Sequence, residues 1–295
     1  MRGRLAALLL VAACASGAPA PTIPSTTGTS VPATTVVTAL PTTTIAPTTT
    51  IPAAEPVPLV VSRYGVMGYW DGTEWLAVVG PEEVPVEPGE TYQVVLLDQP
   101  ISEAIGGEVT LCEPAGTALM EFDPPLGEPL EIGATAVLAT WDLRPQPVTV
   151  ITDTAPEHLQ AAIDVLAASG IDDPDPPVTQ HLSADLEGDG VAEEVLIVKN
   201  VPDDLFGSAG VYSLAMLRKQ IEGEWQTAIL ELSIGADDNI YVLSHSLSAI
   251  ADLNGDGKME IIVDAAYYEG AGTAAYEYVN DDLGPVVAVA GGCGA

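Results

Sequence analysis

Asp185-Leu-Glu187-Gly-Asp189-Gly-Val-Ala-Glu193, running straight into Glu194-Val-Leu-Ile-Val198, returns later in the chain. The second copy is Asp252-Leu-Asn254-Gly-Asp256-Gly-Lys-Met-Glu260, running into Ile261-Ile-Val263. Each loop sets oxygen-bearing side chains at positions 1, 3, 5 and 9, with glycine at position 6. Hard oxygen donors at that spacing wrap backbone and carboxylates around a hard cation, for which calcium is the natural choice. An EF-hand would need a bidentate Glu at position 12 and a flanking helix. Position 12 is Leu196 in one loop and Val263 in the other, both inside apolar, β-branched runs. The EF-hand is excluded.

The flanks of the loops repeat as well. The first copy reads His181-Leu-Ser-Ala, the acidic loop, Glu194–Val198, Tyr212–Arg218, a Glu222-Gly223 turn and Trp225–Leu232. The second reads Leu247–Ala251, the acidic loop, Ile261–Val263, Ala274–Val279, an Asn280–Gly284 turn and Val286–Ala290. Strand, acidic loop, strand, strand, turn, strand is one four-stranded unit used twice.

Ahead of the repeats, residues 57–152 read as all-β. Tyr64–Trp70, an Asp71-Gly72 turn and Glu74–Val79 make a hairpin, and Thr91–Leu97 follows Pro88-Gly89. Glu108–Cys112, Ala118–Phe122, Ala134–Trp141 and Val148–Thr152 are further strands, a rhythm that suits a small sandwich or barrel. One helix connects this region to the repeats. Thr154 and Glu157 have capping-box spacing, Pro156 sits early, and Leu159, Ala162, Ile163 and Leu166 share a face before Gly170. The acidic, Pro-rich run to Pro177 completes a hinge over residues 153–178. The fold class expected is mainly β: an N-terminal sandwich or barrel, one helix, and two blade-like repeats over residues 179–295.

The loops resemble the calcium loop of integrin-like FG-GAP and VCBS repeats, Asp-x-(Asp/Asn)-x-Asp-Gly-x-x-(Asp/Glu) before an Ile/Val strand. The resemblance implies two calcium sites. The first would use Asp185, Glu187, Asp189, Glu193 and the Val191 carbonyl. The second would use Asp252, Asn254, Asp256, Glu260 and the Lys258 carbonyl. Gly190 and Gly257 would supply the sharp turns. In that family the repeats are propeller blades, but two blades cannot close a ring. The Phe-Gly element is also displaced, with Phe206-Gly207 following a loop rather than preceding one. An open pair of blades is therefore expected.

The N-terminus carries an address. Arg2 and Arg4 precede an apolar run, Leu5–Ala13, too short to span a bilayer. Val11-Ala12-Ala13-Cys14 resembles a bacterial lipobox, which implies cleavage after residue 13, lipidation of Cys14 and anchoring outside the cytoplasm. Ordinary secretion with cleavage after Ala20 is the alternative. Residues 14–56, rich in Thr and Pro, read as an extended stalk. Lipobox, stalk and loops together resemble actinobacterial-type lipoproteins with calcium repeats. With Cys14 lipidated, Cys112 and Cys293 remain in an oxidising compartment and are expected to pair; two separate buried thiols are the alternative.

The chain has 295 residues and a formal net charge of −34. Nucleic acid is excluded as a partner, because neutralising phosphates takes basic side chains that are scarce here. Membrane contact is expected only through the lipid. Three histidines, His158, His181 and His245, lack the short spacing of a zinc site. No nucleophile elbow or phosphate-binding glycine loop is present. Aromatic residues gather at Tyr64, Tyr69, Trp70 and Trp75, and again at Tyr267, Tyr268, Tyr276 and Tyr278. Of these, Tyr267, Tyr268 and Glu269 are expected to form a contact surface, on a glycine-bearing loop beside the second calcium site. The function these features favour is a surface-tethered binding or adhesion protein for a protein or glycan. The alternatives are a carboxylate hydrolase with structural calcium, or an envelope-structural role.

Overall fold

The apolar runs behind the two acidic loops are continuous rather than alternating, and a strand of that kind is buried on both faces. The computed structural model bears this out. It describes residues 57–78, 80–97, 99–113, 115–126, 133–203, 205, 207–236, 241–277 and 286–294. The expected signal segment with Cys14, the expected stalk to residue 56, Phe206, Tyr278 and the expected Asn280–Gly284 turn lie outside these residues.

The molecule is mainly β, with one α-helix among the described residues. β1 (Leu59–Ser62), β2 (Gly65–Trp70), β3 (Trp75–Ala77), β4 (Thr91–Leu96), β5 (Ser102–Cys112), β6 (Thr117–Asp123) and β7 (Ala134–Val137) form one antiparallel sheet. Its order is β3-β2-β1-β7-β4-β5-β6, and it curves into a half-barrel. A five-stranded sheet follows, with β8 (Val148–Val150), β9 (Val178–Ala184), β10 (Glu193–Lys199), β11 (Tyr212–Ile221) and β12 (Glu224–Ile234) side by side in that order. The helix α1 (Pro156–Ala168) lies between β8 and β9 in sequence. A four-stranded meander closes the chain: β13 (Ser244–Ala251), β14 (Glu260–Tyr267), β15 (Gly270–Glu277) and β16 (Val286–Gly294). All described residues belong to one compact unit spanning residues 53–295.

The layers follow from the side-chain periods. On β14, Ile261 and Val263 join Leu182, Val195, Ile197, Ala215 and Leu217 of the five-stranded sheet. Ile262, between them, joins Val60, Met67, Val95 and Val137 of the half-barrel. β10 has the same two-sided character, since Leu196 and Val198 pack with Ala162 and Leu166 of α1. The stack is therefore half-barrel, four-stranded sheet, five-stranded sheet, helix. A bulge between Leu247 and Ala249 shifts the alternation of β13, sending Leu247 to one neighbour and Ala249 to the other.

Small residues allow a close sheet contact. A Cβ on Gly291 would sit 2.5 Å from the Val66 carbonyl oxygen, so β16 lies backbone against backbone on β2. Cys112 and Cys293 join β5 to β16 through a disulfide with a Cα–Cα separation of 6.0 Å.

Several local expectations are corrected. Arg63-Tyr64 is the turn between β1 and β2 rather than the start of a strand, and β7 stops at Val137 rather than at Trp141. β5 is longer than expected, beginning at Ser102. β8, expected with the N-terminal β region, instead pairs with β9 of the first repeat. The helix has Ala155 at its N-cap with no side-chain cap. Thr154 directs its hydroxyl to His181 Nδ1 at 3.0 Å, which removes it from the capping box.

Candidate functional site

The two acidic loops share one backbone form. Glycines at positions 4 and 6 of each, Gly188 with Gly190 and Gly255 with Gly257, all have positive φ, which a residue with a Cβ adopts at a cost. The position-1 carboxylates organise the turns. Asp185 accepts from the N–H groups of Asp189 at 3.0 Å and Gly190 at 2.8 Å. Asp252 accepts from Gly255 at 2.7 Å and Gly257 at 3.0 Å. Asp189 and Asp256, at position 5, each accept the N–H two residues on, from Val191 and Lys258. Asn254 accepts from the Asp256 N–H at 3.0 Å.

The position-9 glutamates reach back under the loops. Glu193 accepts the Leu186 N–H at 2.9 Å, and Glu260 accepts the Leu253 N–H at 2.7 Å. They are 1 % and 2 % exposed. Burial pushes the Glu193 carboxyl up to about 7 and holds Glu260 well above the usual carboxylate range. Asp252 is raised by burial too. Glu193 Oε1 is buried with no hydrogen-bond partner among the described residues. Buried carboxyls with spare oxygens either carry protons or face a cation, because an unpaired charge away from water is costly.

The residues fit calcium by donor chemistry, since every side chain the loops offer coordinates through oxygen. One position is already engaged. Glu187 is ion-paired to Lys219 of β11, and both side chains are largely buried. As the side chains stand, no group of three or more His, Cys, Asp or Glu among the described residues is poised to hold a metal ion.

The loops lie side by side. Met259 donates its N–H to the Leu186 carbonyl at 2.8 Å, tying loop two to loop one. Loop two is also clamped from the half-barrel side, where the Asp252 backbone N–H donates to the Leu143 carbonyl at 2.8 Å. Trp141 Nε1 donates to the Asp252 carbonyl at 2.9 Å, and the indole ring lies on the Gly255 backbone.

Tyr267, Tyr268 and Glu269 are at the opposite end of β14 from loop two, at a two-residue turn rather than an extended loop. Seven strand steps of roughly 3.3 Å put about 23 Å between them, so they are not beside the second acidic loop. They do form an exposed cluster, with a member that the sequence did not suggest. Tyr241 stacks on Tyr268 with centroids 5.2 Å apart, and Tyr267 stands edge-on to both. Tyr268 donates its hydroxyl to Glu269 at 2.5 Å. Tyr241 joins from the segment preceding β13, a tertiary contact with no local sequence signal.

The histidines are all buried. His181 and His158 both face Glu194, under the first turn of α1. His245 is fully enclosed between the repeats, with Nδ1 3.1 Å from Ser213 Oγ. Among the described residues no helix is long and apolar enough to cross a membrane. No family model, curated protein or solved structure matches this chain.

Proposed function

We propose that this is a surface-tethered, calcium-stabilised binding lipoprotein of the FG-GAP-like kind, anchored through Cys14 and acting without catalysis on a protein or glycan partner outside the cell. The observation that carries it is the pair of position-9 glutamates, buried under duplicate loops whose remaining donors are oxygens, with Glu193 Oε1 left unpartnered. Calcium at each loop would supply the positive charge these carboxyls lack and would fix the rim where the layers meet. Asp185, Asp189 and Glu193 would hold one ion; Asp252, Asn254, Asp256 and Glu260 would hold the other. The exposed Tyr241, Tyr267, Tyr268 and Glu269 cluster is a contact surface on this reading. Aromatic rings with polar tips suit such surfaces.

The test is thermal unfolding of the full chain in calcium and in chelator, with Asp189→Ala and Asp256→Ala. Position 5 is the right choice, because each of these aspartates holds one backbone N–H while the position-1 residues hold two. Calcium at 100 times its dissociation constant adds about 2.7 kcal/mol per site. Each variant is expected to lose part of the rise in Tm. Identical melts in calcium and chelator would sink the proposal.

A further inference from the structure

Beside loop two is a cleft of about 430 Å³ whose lining includes Trp70, Asp71, Gly72, Thr140, Trp141 and Asn254, together with Val57 and Pro58. That volume lies within the range of small-ligand sites, roughly 300–1,000 Å³. Its composition is more telling than its size. Two half-buried indoles share it with a carboxylate, a hydroxyl and a side-chain amide. We infer that this cleft binds a neutral oligosaccharide, with a sugar ring against the Trp70 and Trp141 indoles and its hydroxyls on Asp71, Thr140 and Asn254. The inference deepens the binding-protein reading and rests on it, by naming a ligand class and a place.

A pyranose presents a face of C–H bonds, weakly positive and apolar, which matches the negative face of an indole. Its rim of hydroxyls needs acceptors and donors at fixed positions. Asp71 is built as such an acceptor. Its Oδ1 takes the N–H groups of Thr73 at 2.7 Å and Glu74 at 2.9 Å, together with the Thr73 hydroxyl at 2.7 Å. Those bonds hold its pKa below the usual value, so it stays a carboxylate. A carboxylate at the rim, in a chain of net charge −34, disfavours an acidic sugar. Trp70 stands edge-on to Trp75, ring centroids 5.4 Å apart, which holds its indole at the cleft wall.

The wall is held in place before any ligand arrives. Gln93 Nε2 donates to the Ala139 and Trp141 carbonyls at 3.0 and 2.7 Å. Arg144 Nη1 donates to the Gln99 carbonyl at 2.7 Å, and Nη2 donates to Leu96 and Leu97. The Trp141 ring is pinned through Nε1 to loop two. A rigid aromatic wall loses little freedom on binding, which is how a small site gains affinity.

The experiment is calorimetric and tryptophan-fluorescence titration of the full chain with cellotetraose, mannotetraose and tetra-N-acetylchitotetraose, with tetragalacturonic acid as the acidic control. At least one neutral tetrasaccharide is expected to bind in the millimolar range or tighter and to change the fluorescence. Trp70→Ala is expected to weaken it at least about tenfold, and Asp71→Asn to weaken it with the melting curve retained. The inference is overturned if no neutral tetrasaccharide binds at millimolar concentration. Binding indifferent to Trp70→Ala, or an acidic control that binds as well as the neutral sugars, also overturns it. Repeating the titration in chelator separates the two readings. Sugar binding with no calcium effect on Tm leaves the cleft standing and removes the calcium; the reverse result removes the cleft alone.

Discussion

The two acidic loops have the same backbone and nearly the same side chains, yet they sit in different electrostatic settings. Loop one carries its own cation, because Lys219 reaches Glu187 from β11. Loop two has no such lysine on its position-3 residue, which is the neutral Asn254. Asp252 is buried at 3 % exposure while Asp185 is only half-buried. Loop two is also pressed between Trp141 and the other loop. A duplicated motif therefore does not guarantee duplicated dependence on metal. On the proposed calcium reading, the copy with a built-in ammonium should tolerate calcium loss better, and the deeply buried copy should not.

The largest effect should come from cutting what holds the second repeat alone. The Cys112–Cys293 bridge closes a separation of 181 residues and anchors β16 to the half-barrel. Replacing both cysteines with Ala is expected to cost about 5 kcal/mol by the loop-entropy relation, read as a fall in Tm by calorimetry. The calcium response lost in Asp189→Ala should survive this change, since loop one does not depend on β16.

Next in size is Lys219→Met. It leaves Glu187 charged and largely buried, and losing one partner of a buried pair costs about 3–5 kcal/mol. In chelator the variant should melt well below wild type, and calcium should recover more of the loss than it adds to the parent. Glu187→Gln with Lys219→Met should be milder than Lys219→Met alone. Equal calcium responses in Lys219→Met and wild type would dissolve the distinction between the loops.

A direct comparison is smaller. Asp256→Ala should remove more of the calcium-dependent rise than Asp189→Ala, each losing at most about 2.7 kcal/mol at 100-fold saturation. Equal losses would mean that burial and Lys219 do not set the difference.

The effect that is smallest at neutral pH concerns the seam between repeats, because it is expressed only in acid. Burial drives His245 down to about 4 from its usual value near 6.5. The unfolded chain then binds a proton more readily than the folded one across that window. Stability is complete above about pH 6.5 and falls toward pH 4, by about 1.4 kcal/mol per pH unit at most. His245→Gln should flatten that slope in urea titrations run at successive pH values, in chelator as in calcium.

Much of the architecture was legible because its signals are local. The loops mark where strands begin, continuous runs such as Val195–Val198 mark two-sided burial, and the Glu222-Gly223 turn fixes the β11–β12 hairpin. What escaped was set by distant partners. β8 is three residues long, and only β9 makes it a strand of the second sheet. Thr154 has the right spacing for a cap but spends its hydroxyl on His181, 27 residues away. Lys219 could have been found: Glu194 pairs with Arg218, so the hairpin register sets residue 219 opposite Glu193 at the mouth of loop one. The cleft lined by Trp70 and Trp141 could not, because residues so far apart in sequence border one space only after the half-barrel and loop two have packed.

The four-stranded sheet occupies the middle of the stack but is made from the last strands in the sequence. Until residues 244–294 leave the ribosome, the half-barrel and the five-stranded sheet each show an uncovered apolar face. A chain stopped before Ser244 would keep both faces bare and invite aggregation. On the proposed lipoprotein reading, export in an unfolded form, with the disulfide closing afterwards, would suit a molecule whose central sheet follows in sequence the two layers it joins.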